Sequence, residues 1–198
     1  MTISLLAASL KSNLQRRSSI TFSVEVPTSK GTLSLPQTTG SIALNGRQSK
    51  LIITDYPFGA HGSVLFTTAS VFFAGTIDSR DVLFLFGDAD QSHEFAISLT
   101  GSDSRASSSR VRFTSSTVGG DITTVSIAPG ANGLVTLWDS STQLILFADP
   151  VTAATFWAPA VKSATANTVP GFESFWQDRK STRLNSSHSG ESRMPSSA

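Results

Sequence analysis

SVLFTTASVFFAGTIDSRDVLFLFGDADQSHEFAISL, residues 63–99, decides the fold. Four short runs rich in Val, Phe, Leu and Ile (63–68, 71–77, 81–87 and 93–99) are cut by Ala-Ser, Asp-Ser-Arg and Asp-Ala-Asp-Gln-Ser. Each run is too short for a helix. Each is also dense in the branched and aromatic side chains that suit a pleated surface, so the stretch reads as consecutive strands. The unbroken apolar core of DVLFLFG (81–87) predicts a strand buried on both faces.

The same rhythm extends outward. Upstream, ITFSVEV (20–26) alternates until Pro27, TLSL (32–35) ends at Pro36, and SIAL (41–44) meets Asn45-Gly46. That dipeptide tolerates positive φ and predicts a tight hairpin returning through KLIIT (50–54). Downstream come RVRFT (110–114), ITTVSI (122–127), LVTLW (134–138) and QLILFA (143–148). Runs about ten residues apart with turn signals between them predict an all-β, antiparallel, sandwich-like assembly. No repeat period recurs, which argues against a propeller or solenoid.

One short α-helix is predicted near residues 150–157. The Asp149 carboxylate can cap free amides, and Pro150 suits the first helical position because its missing N–H loses nothing there. VTAATFWA then runs to Pro159, with Val151, Ala154 and Trp157 on one broad face and Trp157 expected to pack on the sheet. Residues 160–171 read as an irregular loop.

Composition narrows function mainly by exclusion. With 39% hydrophobic and only 15% charged residues the chain is globular, and with no cysteine it can form neither disulfide nor thiolate site. No apolar run approaches the ~20 residues that cross a bilayer. Arg105, Arg110 and Arg112 are the nearest thing to a basic cluster, in a serine-rich stretch that reads as solvated faces, so no nucleic-acid partner is expected. MTISLLAASLKS at the start lacks positive charge ahead of its apolar run, so it makes no convincing signal peptide.

Candidate chemistry is thin. The densest polar cluster, Asp88, Asp90, His93 and Glu94, offers hard oxygen ligands for a cation. It reads more simply as a hairpin turn whose aspartates bond their own backbone. A triad with His61 or His93 has no Gly-x-Ser-x-Gly elbow to support it, and no phosphate loop, dinucleotide fingerprint or His-Glu-x-x-His occurs. Neither catalytic residues, metal ligands nor a cofactor are assigned. Asp55, Tyr56, Trp138, Phe156 and Trp157 are candidate packing or interface residues. Asp55-Tyr56 can be a sugar-facing pair or a strand-end cap with a core aromatic, and the three large aromatics a stacking platform or helix-to-sheet packing.

The last residues stand apart. DRKSTRLNSSH (178–188) has no apolar period and no aromatic, the signature of disorder. It resembles, codon by codon, the translation of a widely used sequencing adapter, and SRMPSSA (192–198) matches the adapter's continuation in the same frame. Residues 178–198 are therefore read as an artefactual tail, and the natural protein is expected to continue differently after about Gln177. Without the tail's four basic and two acidic residues the net charge of +1 becomes −1.

Five blocks, in order, resemble the second domain of the large multidomain fungal β-galactosidases of glycoside hydrolase family thirty-five. They are VPTSKGTLSLPQ (26–37), LNGRQSKLIITDYPFG (44–59), DVLFLFG with HEFAI (81–97), LILFADPVTAATFWAP (144–159) and VPGFESFWQ (169–177). Residues 1–19 do not share the pattern and stay unassigned, their native origin open. Residues 20–177 form the expected domain, truncated at its C-terminal end. The resemblance implies a secreted, extracellular parent that hydrolyses terminal β-galactosyl residues with two glutamates of a preceding TIM barrel. The barrel is missing here, so none of its residues carries over. The natural part has only Glu25, Glu94 and Glu173, each in a different stretch of the chain. The expected role is a non-catalytic accessory domain whose partners are the parent's other domains, meeting galactoside only through that parent. The alternative is a free-standing carbohydrate- or protein-binding β-module.

Overall fold

The computed structural model describes residues 4–9, 19–46, 48–101, 108–115, 121–157 and 176–177. In chain order the strands are β1 (Ser4–Ser9), β2 (Ile20–Phe22), β3 (Val24–Thr28), β4 (Gly31–Leu35), β5 (Ile42–Leu44), β6 (Ser49–Phe58), β7 (Gly62–Thr67) and β8 (Ser70–Ile77). They continue with β9 (Arg80–Phe86), β10 (His93–Ser98), β11 (Val111–Ser115), β12 (Ile122–Ile127), β13 (Leu134–Asp139) and β14 (Gln143–Ala148). Helix α1 (Pro150–Ala153) and the short strands β15 (Phe156–Trp157) and β16 (Trp176–Gln177) are the remaining elements among the described residues.

Two sheets face each other. The first has order β1-β6-β7-β10-β12-β11 and is antiparallel throughout, and the second has order β13-β14-β9-β8. Strand alternation places Phe95 and Ile97 of β10 toward Leu83, Leu85, Ile145 and Phe147 of the second sheet, forming the central core. Ala96, the residue between them, points to the opposite face. There it joins Ile52, Leu65 and Phe66 beneath Val26, Leu33 and Leu35 of the β3–β4 hairpin. The outer face of the second sheet is covered in the same way. Val82, Phe84 and Leu146 pack under Ala153 and Phe156. The architecture is a sandwich with a cap on each outer face, and it explains why DVLFLF is apolar at every position: β9 lies between two cores.

Several sequence expectations need correction. Strands β9 and β14 pair in parallel. The chain leaves β9, builds three strands of the other sheet and returns, a crossover that periodicity cannot reveal. The run at residues 20–26 is split at Ser23, whereas Pro27 sits inside β3 opposite Thr32. A two-stranded hairpin tolerates this, because proline lacks a donor only on one edge. Asn45-Gly46 makes no β5–β6 hairpin. Strand β5 pairs with β2, and β6 with β1 and β7. The turn instead closes by the Gln48 amide donating to the Asn45 carbonyl at 3.1 Å, and it redirects the chain from one layer to the next.

The helix is a single turn. The Asp149 carboxylate accepts from the Val151 and Thr152 amides, as the cap reading requires. By Phe156, however, the chain is extended and pairs with β16. Val151 is 80% exposed and Ala154 is exposed, whereas Ala153 and Phe156 are buried. Burying Phe156 on the sheet requires the chain to leave the helix after one turn. Strand β1 pairs with β6 over six residues within the segment left unassigned. The predicted loop at 160–171 and the tail at 178–198 lie outside the described residues.

Candidate functional site

Among the described residues three carboxylates are buried, each where a loop meets a sheet. Asp81, the second residue of β9, is 5% exposed and points into the β6–β7 turn of the other sheet. The amides of Ala60, His61 and Gly62 donate to it at 2.7, 2.8 and 2.8 Å. Burial by itself pushes this carboxyl up, but the three amides and nearby His61 outweigh it and hold it below the usual range. Gly59 is required beside it. Its φ is +62°, and a Cβ there would stand 2.1 Å from Oδ1 of Asp81.

Glu94 on β10 is fully buried. It accepts from the Gln37 amide at 2.6 Å and from the amide and hydroxyl of Thr38 at 2.7 and 2.5 Å, tying down the segment that follows β4. Asp149 receives the Gly133 amide at 2.6 Å in addition to its helix-capping bonds. Burial raises its carboxyl, and the bonds from Thr152, Gly133 and Val151 overcome that and lower it. A general acid needs a proton to give and a raised pKa, and Asp81 and Asp149 are tuned the other way. These groups hold loops in place.

The polar cluster at residues 88–94 is not a hairpin turn. Strands β9 and β10 belong to opposite sheets, so the segment bridges them. Its two aspartates bond the β5–β6 turn rather than their own backbone. Asp88 accepts from Nε2 of Gln48 at 2.5 Å and Asp90 from Nδ2 of Asn45 at 3.2 Å. Lys50 donates to Oε1 of Gln91 at 2.8 Å. His93 is buried and stacks at a tilt on Phe147, with ring centroids 5.3 Å apart. Burial lowers its pKa to about 4, so the ring is neutral at pH 7. Among the described residues no three metal-ligating side chains converge.

The five candidate residues are dispersed. Asp55 takes a positive φ of 52° and accepts from the amide and hydroxyl of Ser29 at 2.8 and 2.6 Å, which pins the β3–β4 hairpin tip to β6. Next to it, Tyr56 packs against the central core, and burial raises its pKa. Trp138 is buried in that core and donates from Nε1 to the Thr100 carbonyl at 3.0 Å. Phe156 lies in the outer core, edge-on to Phe84 with centroids 5.1 Å apart. The side chain of Trp157 lies outside the described residues. Trp138 and Phe156 are therefore in different cores and share no platform.

Asp81 and Gln143 were not singled out by sequence. Gln143 is fully buried, accepts from the Thr100 amide at 3.1 Å and donates to the Ser98 carbonyl at 3.2 Å, a second clamp between the sheets. Each merely opens an apolar run, Asp81 in DVLFLF and Gln143 in QLILFA, and nothing local reveals the partner about twenty or forty positions upstream. A cleft of about 520 Å³ lies beside the hairpin tip, lined by Ser29, Lys30, Asp55, Val64, Ser98 and Ile122 among others.

Fold and site together define an all-β scaffold domain whose buried polar groups fasten loops and sheets. The family description "β-galactosidase, domain 2" matches residues 9–156. The β-galactosidase A of a Penicillium species is 33% identical over 170 residues, covering 81% of this chain and 15% of that protein. A probable β-galactosidase B of Emericella nidulans is 36% identical over 143 residues, covering 71% and 14%. This chain belongs to the β-galactosidase domain 2 family. It spans about 15% of the length of the curated relatives it matches.

Proposed function

We propose that this chain is a non-catalytic structural domain of a secreted β-galactosidase, packing against the catalytic barrel and other domains of its parent. The carrying observation is the state of its buried carboxylates. Asp81, Glu94 and Asp149 are each engaged by three or more donors, so each oxygen is committed to structure. Retaining hydrolysis needs two free carboxyl groups about 5–5.5 Å apart across a glycosidic bond. Asp55, Tyr56 and the aromatics serve packing or interdomain contact in this reading. The parent meets galactoside, and this domain does so only through it. Purified chain assayed with a chromogenic β-galactoside should show no turnover. Turnover that persists after removal of host galactosidase and co-purifies with the folded chain overturns the proposal.

A further inference from the structure

An open sheet ends in edge strands, whose unpaired amides and carbonyls pair with another chain unless something blunts them. Among the described residues the edges are β1 and β11 in the first sheet, and β13 and β8 in the second. Both edges of the second sheet are interrupted by a bulge, between Thr136 and Trp138 in β13 and between Val71 and Phe73 in β8. The extra residue, Leu137 or Phe72, falls on the edge strand itself. A bulge twists that strand and breaks the ladder that an incoming strand would continue. Edge β11 carries a charge at its second position, the exposed Arg112, which is another common guard. Strand β1 has neither device. Its residues, SLLAAS, include no charge, proline or glycine, and its register against β6 runs unbroken from Ser4↔Thr54 to Ser9↔Ser49.

The strand is also complementary to a second copy of itself. A two-fold axis normal to the sheet brings two such edges together antiparallel and passes through one residue position. Centred on Ala7, it sets Leu5 opposite Ser9 and Leu6 opposite Ala8, a large residue against a small one at every step off the axis. Centred on Leu6, it sets leucine against leucine. No like charges meet, because β1 carries none. We propose that this chain self-associates through β1, two copies pairing antiparallel about Ala7 so that their six-stranded sheets join into one. A contact along a single edge buries little surface, so the association is weak, with half the chains paired at roughly 0.1 mM. The inference concerns the edge of this chain, and it stands whether or not the domain is an accessory of a β-galactosidase.

Sedimentation equilibrium of the full chain, up to about 1 mM, tests it. The average mass should climb with concentration from that of one chain, 20.9 kDa, towards twice that value. Ala7→Lys places an ammonium directly opposite its own copy, and like charges so placed repel. The monomer admits the change, because Leu51, the register partner of Ala7 on β6, is 37% exposed. The variant should keep the wild-type urea midpoint and associate about tenfold more weakly. The chain has no cysteine, so Ala7→Cys should form an intermolecular disulfide on mild oxidation. Ser9→Cys should not, since two positions off the axis in each copy exceeds the ~7 Å between Cα atoms that a disulfide can span. A wild-type chain that stays monomeric at about 1 mM overturns the proposal without recourse to any variant. So does folded Ala7→Lys that associates like the wild type, or Ser9→Cys that cross-links as fast as Ala7→Cys.

Discussion

Acidification should destabilise this domain through one side chain. His93 has a folded-state pKa of about 4 against an ordinary 6.5, chiefly because burial disfavours its charged form. Between those values the unfolded chain holds a proton that the native chain refuses. Stability therefore rises with pH across the window and is lost as pH falls from 6.5 towards 4. The slope approaches about 1.4 kcal/mol per pH unit, so the loss from pH 7 to pH 5 integrates to about 2 kcal/mol. That is a large part of a typical total of ~5–15 kcal/mol. With a urea slope of ~1–3 kcal/mol per molar, the midpoint should drop by about 1 M. Asp81 and Asp149 have lowered values, and their contributions disappear at still lower pH, below the ordinary carboxylate value of 3.8. The assay is urea unfolding at pH 7 and pH 5 for the wild type and for His93→Gln, which cannot titrate. The variant should start less stable and lose much less on acidification. If both chains lose the same amount, or if the wild type is flat between the two pH values, the reasoning is wrong.

Asp81→Ala should cost about 2–3 kcal/mol by leaving buried donors unmatched, and hydrogen exchange at the Ala60, His61 and Gly62 amides should accelerate together. Unchanged exchange there contradicts the clamp. Phe156→Ala should cost about 3 kcal/mol, since it empties the outer core against Phe84 and Phe72. A urea midpoint within error of the wild type would place that ring outside the core. Removal of residues 178–198 should leave stability unchanged within ~0.5 kcal/mol, as expected of a segment with no apolar period, and a larger fall in midpoint would give the tail a packing role.

The strands themselves were legible because strand formation here is written locally. Short Val-, Ile- and Phe-rich runs between turn residues fix extended backbone, and the unbroken apolar sequence of β9 announced burial on both faces. The cap of α1 was legible for the same reason, since Asp149 and Pro150 act on amides two and three residues away. The five resembling blocks, read in order, were enough to indicate the family. Tertiary structure decided everything that depends on a partner distant in sequence. It placed β14 parallel to β9, turned Asn45-Gly46 into a layer crossing, and ended α1 after one turn so that Phe156 could reach the outer core. It alone brought Asp81 under the amides of the β6–β7 turn. Local propensity fixes φ and ψ, but a carboxylate's or imidazole's role depends on which donors and charges surround it, and that is set by the packing of layers.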